Sequence, residues 1–283
     1  PASVGLLGRY YARKHDLPSI YTHHTPVEEY FHQATRSERL GNLLGKAYLP
    51  YENALLDTFD VVTASTGRID RDVEHVELPV GIDMDFFQPR AGDWFDDEPV
   101  IGYSGRISNE KNVGELLRLA ERLPAYRFVV VGEGPFRSRL EERAPDAVEF
   151  RDFLPREQLP EFLSSISVFV TASTADTLGL STLEANACGT PVVAADVPPF
   201  DDTIGPENGR RFPYGDVEAM AEAVEDCLAT EWNTRAAVER FGVTRTMSQL
   251  ETIYRDAASG AGETPTRSGA PASSSSVAEA GTD

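Results

Sequence analysis

From about residue 18 to residue 195, short apolar runs rich in β-branched residues alternate with longer amphipathic stretches. The runs PSIYTHH, DVVTAS, PVIGYSG, RFVVVG, VEFRDF, SVFVTAS and PVVAAD predict strands. NVGELLRLAERL (112–123) and REQLPEFLSSI (156–166) repeat their apolar positions at helical spacing and predict helices between them. Buried strands alternating with helices call for parallel sheets covered on both faces, an α/β architecture of the doubly wound kind. The pattern lapses over Asp83–Glu98 (DMDFFQPRAGDWFDDE), which is acidic and turn-rich and reads as a linker between two domains. Helical spacing returns at 216–229 and 243–257, and the stretch from 258 onward is small and polar and is expected to be disordered.

The expected organisation is therefore a first domain over 1–82, a linker over 83–98, a second domain over 99–230, helices over 231–257 that pack back toward the first domain, and a loose tail over 258–283. Only two or three strand candidates precede the linker, few for a doubly wound sheet, and the first residue is Pro1 rather than methionine. The first domain is thus expected to be incomplete.

Composition adds habitat more than chemistry. The 283 residues include 46 acidic and 26 basic side chains, a formal charge of −20, and only three lysines (Lys14, Lys46, Lys111) beside 23 arginines. Such acidity with so little lysine fits a protein of concentrated salt, where surface charge preserves solubility. Nucleic acid is a poor candidate as principal partner, since phosphate backbones need a clustered basic surface. No apolar run approaches the roughly 18 residues of a membrane span. Cys188 and Cys227 lie far apart in sequence, give no disulfide framework and suit a reducing cytoplasm.

Three stretches carry candidate chemistry. In TASTADTLGLSTLEANACGTP (171–191) a strand ends near Ser173, a loop carries Asp176 and Gly179, and a helix begins at Ser181. Strand ends followed by helix N-termini are where open α/β sheets bind anions. Ser181-x-x-Glu184 also spells a capping box, so Glu184 has a structural alternative. In SGRISNEKN (104–112), Gly105 permits close approach, Arg106 offers a fork matched to phosphate, and Lys111 adds a point charge. Asn112 is expected to cap the next helix with Glu115 at its third position. VVVGEGP (129–135) sets Gly132-x-Gly134 behind a strand, but lacks the full dinucleotide fingerprint and so disfavours nicotinamide chemistry.

Taken in this order, GRISNEKN, VVGEGP and ADTLGLSTLEANACGTPVVA resemble the second domain of retaining glycosyltransferases of the GT-B fold, family GT4, and VELPVGIDMDFFQP (76–89) resembles that family's interdomain segment. The resemblance covers roughly 18–256 and implies two Rossmann-like domains facing a cleft. It implies that Arg106 and Lys111 hold a donor diphosphate, that Asp176 faces the donor sugar, and that Glu184 binds ribose hydroxyls. Asp176 stands where the family usually has glutamate, which bears on donor identity. Gly105, Gly132, Leu178, Gly179 and Leu180 would bring backbone to the donor, and Phe153 sits where the family places a backbone contact to the base. His24, in YTHHTPVEEYFHQ (21–33), would lie beside the donor sugar. That stretch also puts Thr25, Pro26 and Glu28 at a helix start, and His23 and His24 lack a third metal ligand. HTPVEEY further resembles lipid glucosyltransferases that act on diacylglycerol.

The implied reaction moves a hexose from a nucleoside diphosphate sugar, UDP-glucose or similar, to a hydroxyl acceptor such as a lipid or a glycan. Catalytic parts would fall to His24, Arg106, Lys111 and Asp176. No metal or other cofactor is expected, because the two cations take the diphosphate-neutralising role. FHQATRSERLGNLLGKAYL (31–49), with Arg36, Arg39 and Lys46 among apolar residues, is either a surface helix lining the cleft or an interfacial membrane contact. The expected location is the cytoplasm, with or without that contact. Two alternatives share the fold: a nucleotide-sugar 2-epimerase, and a nucleotide-sugar binder too incomplete to catalyse.

Overall fold

The computed structural model describes residues 2–23, 38–65, 73–92, 94–95 and 98–260. His24, Thr25, Pro26, Glu28 and Arg36, and all of the tail beyond 260, lie outside the described residues.

Helix α1 (Ala2–Lys14) leads into a parallel three-stranded sheet of β1 (Ile20–His23), β2 (Val61–Ala64) and β3 (Val76–Glu77), with α2 (Glu38–Leu56) connecting β1 to β2. Helix α2 turns a face that includes Gly41, Gly45, Glu52, Leu55 and Leu56 inward and leaves Leu40, Leu43, Leu44 and Tyr51 exposed. That exposure runs against the usual rule, since an amphipathic helix normally buries its leucines.

The second unit is a six-stranded parallel sheet. Its strands are β4 (Val100–Ser104), β5 (Arg127–Val131), β6 (Val148–Arg151), β7 (Val168–Thr171), β8 (Val192–Ala195) and β9 (Gly209–Phe212), in the spatial order β6-β5-β4-β7-β8-β9. Every neighbouring pair is parallel. Intervening helices are α3 (Gly114–Arg122), α4 (Arg137–Glu141), α5 (Leu159–Ser165), α6 (Leu180–Ala187), α7 (Phe200–Thr203) and α8 (Val217–Ala229). Strands β4, β5, β7 and β8 are buried along nearly their whole length, which is why their sequences run apolar instead of alternating. All seven expected strands form. Strands β3 and β9 carry no strand signal that the sequence reading detected.

The described residues of 83–98 contain no regular element, yet they pack closely. Phe87 is buried, Phe86, Trp94 and Phe95 lie on the second core, and the Arg151 guanidinium sits 5.4 Å from the Trp94 ring and 5.2 Å from Phe95. Beyond α8 come α9 (Thr234–Val238) and α10 (Val243–Ser259). Arg235 at the start of α9 donates to Met84 O, Phe87 O and Ala187 O at 2.5, 2.6 and 2.8 Å, joining 84–87 to the end of α6. Ile82 pairs with Gly242, and Thr246 donates to Pro79 O.

Candidate functional site

In the order β6-β5-β4-β7-β8-β9 the winding reverses between β4 and β7. Connections that leave a switch point in opposite directions open a crevice at the carboxyl ends of the strands. The loops after β4 and β7 are the stretches that carry Gly105–Lys111 and Asp176–Gly179.

The loops after β4 and β5 are locked together by backbone. Gly105 N donates to Val131 O at 3.0 Å, Ile107 N to Glu133 O at 2.8 Å, and Phe136 N to Ile107 O at 3.2 Å. At Gly132, where φ is +141°, a Cβ would stand 1.9 Å from Gly105 O; at Gly134 it would stand 2.1 Å from Ile107 O. Gly132-x-Gly134 therefore exists so that one turn can press against the other. Arg137 fastens the opposite side, donating to Glu133, to Gly132 O at 3.3 Å and pairing with Asp152 at 2.7 Å.

Between these turns, the β6 loop and α6 lies a cavity of about 350 Å³, lined by Ser104, Gly105, Arg106, Gly132, Glu133, Phe153, Ser181 and Glu184 over an apolar floor that includes Leu159 and Leu163. The Phe153 side chain is 70% exposed at its rim. The Arg106 side chain is exposed and pairs with no carboxylate among the described residues. Its turn is held from below by Tyr103, a buried ring stacked on Phe169 whose hydroxyl donates to Arg106 O at 2.9 Å. Burial, then the Asp176 and Glu110 carboxylates, push the Tyr103 phenol well above its ordinary pKa, so it remains a donor.

Lys111 and Asp176 do not line this cavity. They pair with each other, Nζ to Oδ1 at 2.6 Å, both half-buried. Asn112 is not the expected N-cap. It takes a left-handed conformation (φ 48°) after the short 3-10 turn Asn109–Lys111, α3 starts two residues later, and its amide donates to Ala172 O at 3.0 Å and Thr174 Oγ1 at 3.2 Å. The side chain stitches the β4 loop to the β7 loop instead of capping a helix.

The capping box, the alternative reading of Ser181-x-x-Glu184, does not form either. Helix α6 begins one residue earlier, at Leu180, behind a left-handed Gly179 (φ 72°), and it is Thr182 that donates to Gly179 O at 2.7 Å. Gly179 cannot carry a side chain there, because a Cβ would meet the Phe200 ring at 2.6 Å. Released from capping, Glu184 faces the cavity and accepts no hydrogen bond from a described residue. Burial pushes its carboxyl up to about 7, against the opposing pull of the Arg156 guanidinium.

The structure thus brings Gly105, Arg106, Gly132, Phe153 and Glu184 around one cavity. It sets the Lys111–Asp176 pair to one side, outside the cavity lining, with Leu178 buried and Leu180 exposed at the head of α6. Tyr103, Glu133, Leu159 and Leu163 were not singled out from sequence; the last two are visible there only as apolar positions four apart on a helix. Among the described residues no group of three or more His, Cys, Asp or Glu side chains is placed to hold a metal ion.

The family model for glycosyl transferases group 1 matches residues 85–243, more than half of the chain. The 2-deoxystreptamine N-acetyl-D-glucosaminyltransferase of Streptomyces fradiae is 30% identical over 207 residues, 67% of this chain and 45% of that one. The alpha-monoglucosyldiacylglycerol synthase of Streptococcus pneumoniae is 27% identical over 254 residues, 81% of this chain and 57% of that one. The chain spans about half the length of these curated relatives. In fold it matches the sucrose-phosphate synthase of Thermosynechococcus elongatus with a TM-score of 0.76 at 24% identity, over 90% of this chain and 72% of that one. The β4, β5 and β6 loops, α5 and α6, which together build the cavity, all fall within the matched span, and the chain belongs to the group 1 glycosyltransferases, with a parallel-sheet α/β fold of the GT-B type.

Proposed function

We propose that the cavity receives the nucleoside of a nucleoside diphosphate sugar, UDP-glucose or a close analogue, and that the enzyme transfers its hexose to a hydroxyl acceptor with retention. The observation that carries this reading is the cavity at the β4/β7 switch point, which opens on Arg106, paired with no described carboxylate, and on Ser181 in the first turn of α6. The anomeric C–O bond breaks with its electrons passing to the diphosphate, the acceptor oxygen bonds to the same face, and its proton passes to a leaving phosphate oxygen. Arg106, Lys111 and the N–H groups opening α6 would stabilise the charge that grows on that phosphate, a preorganised electrostatic role. In this reading Glu184 accepts from the ribose hydroxyls, Asp176 from the sugar hydroxyls, His24 stands beside the sugar, and the cations make a metal ion unnecessary.

A lipid acceptor such as diacylglycerol is favoured by two observations: the relative named for monoglucosyldiacylglycerol synthesis, and the outward Leu40, Leu43, Leu44 and Tyr51 of α2 beside Arg39 and Lys46. Such a face suits peripheral contact with an anionic membrane surface on the cytoplasmic side. No described helix is long and apolar enough to cross a membrane. The test is a donor and acceptor screen in concentrated salt with products identified by mass spectrometry. Hexose added to an acceptor supports the reading. Isomerised UDP-sugar formed without acceptor would mark a 2-epimerase, and UDP binding without any turnover would mark a binding fragment; either would overturn it.

A further inference from the structure

The Lys111–Asp176 pair has a consequence for which nucleotide the site prefers. Lys111 Nζ donates to Asp176 Oδ1 at 2.6 Å with the two side chains 23% and 20% exposed, so the contact is shielded from much of the solvent. The neighbouring carboxylate Glu110 makes no ion pair with this ammonium; its Oε1 accepts from the Ser108 hydroxyl at 2.5 Å. The two loops cannot easily part: besides the Asn112 bridge to Ala172 and Thr174, Thr174 N donates to Glu110 O at 3.2 Å. Arg106 pairs with no described carboxylate and can meet a phosphate, whereas Lys111 is already engaged.

A diphosphate that recruits Lys111 must take it from Asp176. The carboxylate is then left half-buried, without its cation and beside phosphate charge, which is costly. A donor carrying its hexose can repair this loss, since sugar hydroxyls donate to the released carboxylate. A nucleoside diphosphate without a sugar cannot. Resting on the donor-site reading above, we infer that the Lys111–Asp176 pair discriminates between the loaded donor and the spent nucleoside diphosphate, weakening the product so that it leaves.

Calorimetric titration of UDP and of UDP-glucose into the wild-type chain, Asp176→Asn, Lys111→Ala and the double variant tests this. Asp176→Asn is expected to bind UDP about five- to tenfold more tightly, as for loss of a competing ion pair, and to narrow the gap between UDP-glucose and UDP. Simple repulsion between Asp176 and phosphate would also tighten UDP. The double variant separates the two causes: in the Lys111→Ala background the gain must shrink to about twofold or less. A gain of equal size in both backgrounds, or unchanged or weaker UDP binding to Asp176→Asn with its melting temperature preserved, would overturn the inference alone. Failure of the wild-type chain to bind either UDP or UDP-glucose would instead remove the donor-site reading, and the inference with it.

Discussion

Glu184→Gln should make the protein more stable and a poorer donor binder, with both effects governed by pH. Glu184 is largely buried at the cavity wall, and burial lifts its carboxyl from an ordinary 4.5 to about 7. Below about 4.5 it is protonated in the folded and unfolded chains alike and exerts no differential effect. Between 4.5 and 7 the unfolded chain has released the proton while the folded chain retains it, so stability falls as pH rises. Above about 7 the whole cost, about 3 kcal/mol as an upper limit, is present. Glutamine does not titrate, and allowing for partial burial of its amide the variant should gain about 1–3 kcal/mol over wild type at pH 8 and little at pH 4.5. Urea denaturation of both proteins at the two pH values measures the difference. In wild type, donor affinity should rise with pH through about 7 as the carboxylate forms, and glutamine should flatten that rise. A stability difference independent of pH, or a variant less stable than wild type at pH 8, would refute the reasoning.

Other positions give separable outcomes. Arg106→Lys keeps the charge but loses the fork, so UDP affinity should fall roughly tenfold while the melting temperature holds, as read by calorimetry and scanning fluorimetry. Gly132→Ala would drive a Cβ into Gly105 O, backbone against backbone, and should cost about 3 kcal/mol or more in denaturation, or prevent folding. Asn186 is fully buried in the last turn of α6, donating to Thr190 O and Asn208 O and accepting from the Asn208 amide. Asn186→Ala removes all three bonds, leaving Asn208 O with Val192 N and the Asn208 amide with Thr203 O, and should destabilise by about 1–3 kcal/mol in the same assay, more than an isolated surface bond.

Most of the second sheet was legible because its strands are buried on both faces and therefore read as continuous apolar runs. Strand β9 was missed for the opposite reason. Its sequence GRRF carries two arginines at a sheet edge, where Arg210 reaches Asp226 at 2.5 Å and lies 4.8 Å from the Trp232 ring, and Arg211 reaches Asp196 at 3.0 Å. Local motifs misled where a side chain spends its hydrogen bonds across the fold: Asn112 bonds to a strand end 60 residues away, so its capping signature is incidental. The Glu184 signature was ambiguous because one spacing serves a cap or a ligand, and only the left-handed Gly179 shows that the helix starts without it. The Lys111–Asp176 pair spans 65 residues and has no trace in local spacing, nor does the Tyr103 hydroxyl beneath Arg106.

The central claim is that the cavity between the β4, β5 and β6 loops and α6 is a nucleotide-sugar site. Titration of UDP-glucose into the wild-type chain and Arg106→Ala in concentrated salt tests it most directly. The account predicts saturable one-site binding to wild type and about a tenfold or greater loss in Arg106→Ala with the fold intact. Equal affinity in the two proteins, or no binding to wild type, would contradict it.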